Sequence, residues 1–254
     1  MTHVVPLEKE VMHMLKMTSR TFYIPISLLK PTLKKTVASA YLCMRAIDEI
    51  EDHEMLERET KHEILHSISQ MLKHSFDKKA YQQLLAPYRS ALPEVTLRLD
   101  EWMSFCPADV IDKVKHFTRT MAQGMANWAR KNWRIQIKED LDDYTYYVAG
   151  LVGVMLSDIW EWYDGTRTNR DLAVAFGRGL QAVNILRNQK EDRERGVNFF
   201  PDGWKREEMF HYAEKNLSLA EEYMKDIDNR NIHLFCKIPL ALAKKTLHSL
   251  RRGH

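Results

Sequence analysis

Apolar residues recur every three to four positions through most of this chain, the spacing that lines one face of an α-helix. Leu7 to Met17 reads as a first amphipathic helix. Pro31 suits the opening turn of a second, Thr32 to about His53, in which Val37, Tyr41, Met44 and Ile47 form an apolar stripe. Ile64, Leu65, Ile68, Met71 and Leu72 predict a helix over about Arg58 to Ser75, and a short one spans Lys79 to Leu85. Pro87, Pro93 and Pro107 punctuate the next stretch, leaving helices at Glu94 to Phe105 and at about Val110 to Trp128. A charged loop, KNWRIQIKEDLDD, precedes the most apolar run, Tyr144 to Trp160, with Val148, Leu151, Val152, Met155 and Ile159 on one face. Helices at Asp171 to Glu194, Lys205 to about Ile227 and Ile238 to Leu250 complete an all-α pattern.

Glycine use agrees with that pattern, since only nine glycines occur and the first is Gly124. Gly150 and Gly153 lie inside a predicted helix, where each costs about 1 kcal/mol relative to alanine. Either close helix packing or room for an apolar ligand, with a local break in the helix, would offset that cost. A chain of 254 residues without linker or repeat is read as one domain over residues 1–254. Lys and Arg number 38 against 35 Asp and Glu, a net charge of +3, so no nucleic-acid partner is expected. Cys43, Cys106 and Cys236 are odd in number and lack metal-ligand spacing, which suits a reducing compartment. Neither a signal peptide nor a run of roughly 18 apolar residues is apparent. The expectation is a cytoplasmic protein with no protein partner, free to touch a membrane surface peripherally.

The candidate chemistry lies on two of the predicted helices. In QAVNILRNQKED, Asn184, Asn188 and Asp192 recur every four residues, so their oxygens project from one face about one turn, ~5.4 Å, apart. Upstream, YLCMRAIDEIEDH sets Asp48 and Asp52 at the same spacing, with Glu49 and Glu51 beside them. Two such helices facing one another would form an oxygen-lined cage suited to Mg²⁺, which takes few carboxylates and fills its other positions with water and phosphate oxygens. That points to a diphosphate site. Taken alone, each acidic group is an ordinary solvated helix face.

The runs YLCMRAIDEIED, YYVAGLVG and LQAVNILRNQKEDRERGVNFFP, in that order, resemble the signatures of the squalene and phytoene synthase family of isoprenoid enzymes. The likeness extends from Ser19 to about Thr246. It implies an all-α isoprenoid-synthase bundle with a central cavity, Mg²⁺ as cofactor, and a prenyl diphosphate such as farnesyl diphosphate as substrate. By resemblance Asp48 and Asp52 hold Mg²⁺ from one side, and Asn184, Asn188 and Asp192 hold it from the other with Glu191 in support. Arg45 and Arg187 are the expected diphosphate contacts, a guanidinium offering paired donors to phosphate oxygens. Ser19, Tyr41, Tyr144 and Gln181 match positions around the site. Phe22 and Ile26 match the region that packs on the prenyl chain, with Val148, Ala149, Gly150 and Gly153 as its other wall.

One position departs from the family pattern. The second motif usually carries an aspartate where this chain has Asn188, and an amide there removes one negative charge from a hard-cation site. A site weakened in this way would ionise one substrate and let water capture the allylic cation. The leading expectation is therefore Mg²⁺-dependent hydrolysis of farnesyl diphosphate to farnesol, as in the family's phosphatase branch. Head-to-head condensation of two farnesyl diphosphates to presqualene diphosphate or dehydrosqualene, or phytoene-type synthesis, is the alternative. Two others stay open: class I terpene synthase chemistry, whose metal motif also has a neutral middle ligand, and a catalytically inactive prenyl-lipid binding protein.

Overall fold

The computed structural model describes residues 6–19 and 21–253, and among these every regular element is a helix. The ends of the expected domain, residues 1–5 and 254, lie outside the described residues. Contacts divide the chain into two compact units, Met1–Ala126 and Asn127–His254.

The first unit is arranged around α3 (Pro31–Glu51), which Pro31 opens as predicted. Packing on α3 are α1 (Leu7–Thr18), α2 (Tyr23–Ser27), α4 (Arg58–Met71), α6 (Glu94–Leu97) and α7 (Leu99–Phe105), while α5 (Lys78–Leu85) packs on α4. Small residues explain the close fit. Ala38, Ser39, Ala40 and Ala46 are all fully buried, with Leu42, Cys43, Ile47 and Ile50 filling the spaces between the helices. Buried hydroxyls tie neighbouring helices together through backbone carbonyls: Ser39 Oγ donates to Trp102 O at 2.7 Å, Thr96 Oγ1 to Ala46 O at 3.0 Å and Tyr81 OH to Thr96 O at 2.6 Å.

Arg98 divides the helix expected over Glu94 to Phe105, adopting φ −115° and ψ 26° between α6 and α7. Its guanidinium lies 4.7 Å from the Trp102 ring and pairs with Glu94, Glu101 and Glu10. Of these partners Glu10 is distant in sequence, and a helical apolar pattern cannot reveal it. Helix α8 (Ile111–Arg130) closes the first unit and its last residues enter the second.

The second unit is arranged around α11 (Arg170–Glu194), capped by Asn169, whose side chain accepts from Asp171 N and Leu172 N. A helix begins at Lys138 within the predicted charged loop, because Asp140 caps it by accepting from Gln136 N and Ile137 N. It runs as α9 (Lys138–Thr145), widens into a π turn at Tyr146–Gly150 and continues as α10 (Leu151–Asp164). The glycines of this run have a steric explanation. A Cβ on Gly153 would stand 2.1 Å from Ala173 O, and one on Gly177 would stand 2.2 Å from Ala149 O. Backbone meets backbone there, and no larger residue fits.

Two helices complete the unit: α12 (Arg206–Tyr223), which packs on α11, and α13 (Arg230–Arg251). The latter begins eight residues before the expected start at Ile238 and contains Pro239. Asn229 caps it, and Ile232, Phe235, Cys236, Pro239 and Leu240 form one continuous buried face. That burial offsets the helix bond which proline cannot donate.

Candidate active site

In the first unit α3 carries the acidic motif on its last turns. Asp48, Glu51 and Asp52 share a face at i, i+3 and i+4, and each offers an oxygen within 4.8 Å of the others. Asp48 is half-buried, Asp52 exposed and Glu51 buried. Sequence reading placed Glu51 beside the motif without choosing it as a ligand; the i+3 step from Asp48 was the available signal. Three carboxylates this close repel one another. Burial pushes the Asp48 carboxyl up to about 7, the Asp52 carboxylate adds to that rise, and Arg45 opposes both. A hard divalent cation relieves this crowding, so the donor set fits Mg²⁺.

Arg45, one turn earlier, pairs with Asp48 and Glu49. Burial works against its charge, but the two carboxylates prevail and hold its pKa above the usual arginine range. Tyr41 lies a further turn back, its hydroxyl donating to Thr18 O at 3.1 Å, and burial raises its pKa. Ser19 is buried and accepts from Phe22 N at 2.8 Å, while the Phe22 and Tyr41 rings stand 6.0 Å apart. Ile26 is buried. These first-unit candidates thus form a connected series from Ser19 and Phe22 through Tyr41 and Arg45 to Asp48.

In the second unit α11 presents the ladder. Gln181, Asn184 and Asn188 are half-buried, Asp192 is buried and Glu191 exposed. Among the described residues the side chains of Gln181 and Asn184 meet no hydrogen-bond partner. The lower rungs differ: Asn188 Oδ1 accepts from Arg187 Nε at 3.1 Å, and Asp192 Oδ1 from Arg195 Nη2 at 2.6 Å. Arg187 is exposed and lines an open groove of about 420 Å³ with Lys190, Arg193 and Arg206. Arg195 escaped sequence reading because the i+3 pair begins inside the helix and ends at its cap.

The run from the end of α9 through the π turn into α10 holds the remaining candidates. Val148 and Ala149 are half-buried, Gly150 is buried, and a Cβ on Gly150 would lie 3.0 Å from Val174 Cγ1. Gly150 and Gly153 thus pack on α11, and a π turn, a feature frequent at functional sites, supplies the local break. Tyr144 is buried, its ring stacked 4.7 Å from Phe199 and edge-on to Trp128 at 5.7 Å.

The all-α architecture is that of the isoprenoid-synthase fold, as comparison with solved structures shows. A structure of TcSQS with the ligand BPH1237 superposes with a TM-score of 0.80 at 22% identity, covering 97% of this chain and 79% of that one. Squalene synthase HpnC from Alicyclobacillus acidocaldarius gives a TM-score of 0.60 at 16% identity, covering 98% and 96%. The sequence profile of squalene/phytoene synthase matches residues 15–208, and the chain belongs to that family. Squalene synthase of Dictyostelium discoideum is 28% identical over 93% of this chain and 62% of its own length. That of Saccharomyces cerevisiae is 32% identical over 74% of this chain and 44% of its own length. The chain spans about three fifths of the length of the first of these relatives.

Proposed function

We propose that this chain joins two prenyl diphosphates, farnesyl diphosphate in the first instance, head to head in a Mg²⁺-dependent reaction. The observation that carries this reading is the Asp48, Glu51 and Asp52 cluster within a chain of the squalene/phytoene synthase family. Findings on the relatives favour condensation over the hydrolysis expected from Asn188. In the condensation, the C–O bond of the first substrate breaks and diphosphate leaves. The double bond of the second donates its electron pair to the allylic cation, and loss of one proton gives presqualene diphosphate.

The residues take complementary roles in this proposal. In the first unit Asp48, Glu51 and Asp52 would hold Mg²⁺, and in the second Asn184, Asn188, Glu191 and Asp192 would offer oxygens to Mg²⁺. When bound, Mg²⁺ neutralises the charge that develops on the departing diphosphate. Arg45, kept protonated by its carboxylate neighbours, directs a permanent positive charge at the same oxygens. Gln181 and Asn184 offer amide groups without internal partners. Phe22 and Ile26 in the first unit, and Val148 and Ala149 in the second, would each offer apolar side chains to a prenyl group. The family match at 15–208 runs through both units, which supports their acting as one functional domain.

Hydrolysis to farnesol is the second reading, and one feature favours it. Asn188 lacks the charge of a carboxylate, and Arg187 already occupies its oxygen. Purified protein incubated with farnesyl diphosphate and Mg²⁺, followed by mass spectrometry of the extract, separates the two. Presqualene diphosphate or a hydrocarbon of twice the substrate's chain length supports condensation, whereas farnesol with equimolar diphosphate establishes hydrolysis.

A further inference from the structure

Large apolar side chains stand in water around α2. Met17 is 70% exposed, Ile24 56% and Leu28 45%, and Ile24 and Leu28 project one turn apart. Pro25 and Ile26 on the same short helix are buried, so the exposed pair is the outward face of an element anchored from within. Along the chain the charge of this stretch is of one sign. No aspartate or glutamate occurs between Glu10 and Asp48, while Lys16, Lys30 and Lys35 are exposed. Neither Lys16 nor Lys30 has an ion-pair partner among the described residues.

We infer that this face docks on an anionic lipid bilayer, with Ile24, Leu28 and Met17 entering the interface and Lys16 and Lys30 meeting lipid phosphates. The charge pattern selects the occupant. A second copy of the chain packing symmetrically on the patch would bring like lysines together, which opposes association. Anionic headgroups neutralise them and accept the apolar side chains beneath. No helix among the described residues is long and apolar enough to cross a membrane, so the contact is a surface one. Ser19, Phe22 and Ile26 border the patch in sequence, which brings the candidate prenyl-contacting segment to the bilayer. Docking itself does not depend on the reaction proposed above.

Co-sedimentation of the whole protein with vesicles tests the inference, comparing phosphatidylcholine alone with phosphatidylcholine containing phosphatidylglycerol. Wild-type protein should bind the anionic vesicles and release them as salt rises. Ile24→Glu with Leu28→Glu, and separately Lys16→Glu with Lys30→Glu, should each weaken binding at least about tenfold. All four side chains are exposed, so circular dichroism and thermal melting should be unchanged. Failure of the wild-type protein to bind, or binding undiminished in both double variants, overturns the proposal. So does a salt-insensitive dimer in analytical ultracentrifugation that the Ile24 and Leu28 changes abolish, which would make a second copy the occupant.

Discussion

The ends of α3 and α11 use the same i, i+4 spacing to opposite electrostatic effect. On α3 three carboxylates crowd together, with Arg45 paired to Asp48 and Lys61 donating to the Glu51 carbonyl, and burial and the Asp52 carboxylate drive Asp48 toward its neutral form. On α11 two of three rungs are amides and the remaining carboxylate is held by Arg195. The first is a site under repulsion that a cation relieves; the second is already partly compensated by the protein's own cations. Metal-binding character therefore follows from which charges surround a ladder, and ladder spacing alone does not report it.

The largest effect should come from removing the crowded site. Asp48→Ala is expected to lower turnover of farnesyl diphosphate by about a thousandfold or more while circular dichroism stays native, given what preorganised charge contributes in such reactions. Turnover near wild type would place the chemistry elsewhere. Next, Gly177→Ala should lower unfolding free energy by about 1–3 kcal/mol in a denaturant titration, since its Cβ would collide with Ala149 O. An unchanged midpoint would show that the α11 contact yields more readily than its geometry implies.

A charge change on the second ladder should matter less. Asn188→Asp restores a carboxylate at the rung held by Arg187 and should tighten the Mg²⁺ dependence of turnover by about tenfold, with condensation product rising relative to farnesol. If the Mg²⁺ dependence stays the same, the second ladder does not limit metal binding.

The smallest effect concerns pH. The Asp48 carboxyl stands at about 7 against an ordinary 3.8, so the folded protein binds more protons than the unfolded one between those values. Metal-free stability should therefore fall as pH rises through that window, with the whole cost present above 7. Asp48→Asn removes the cost and should raise Tm at pH 8, without Mg²⁺, by at least roughly 2–4 °C, the shift that each kcal/mol produces in a chain of this size. The gain should vanish near pH 4, and an equal gain at both values would mean that charge is not its cause.

Most helices were legible from apolar spacing, Pro31 at an N-terminus and the long runs of α3, α8 and α11, because local geometry and burial agree there. The boundaries that moved depend on partners distant in sequence or on caps. Arg98 breaks its helix toward Glu10, Asp140 caps α9 inside a polar run, and Pro239 is carried by a buried face. Among site residues, Asp48, Asp52, Asn184, Asn188 and Asp192 could be named from spacing and resemblance. The burial of Glu51 and the capture of Asp192 by Arg195 could not.

By itself the sequence determined the helical class, the family and the order of ligand-bearing positions, all properties of local periodicity and motif. Tertiary structure decided which oxygens are crowded and which are already engaged by arginine. It also decided that Gly153 and Gly177 serve backbone contact of α11 with α10 and with the π turn before it. Charge and close packing act through space, between groups whose separation along the chain carries no record of their distance.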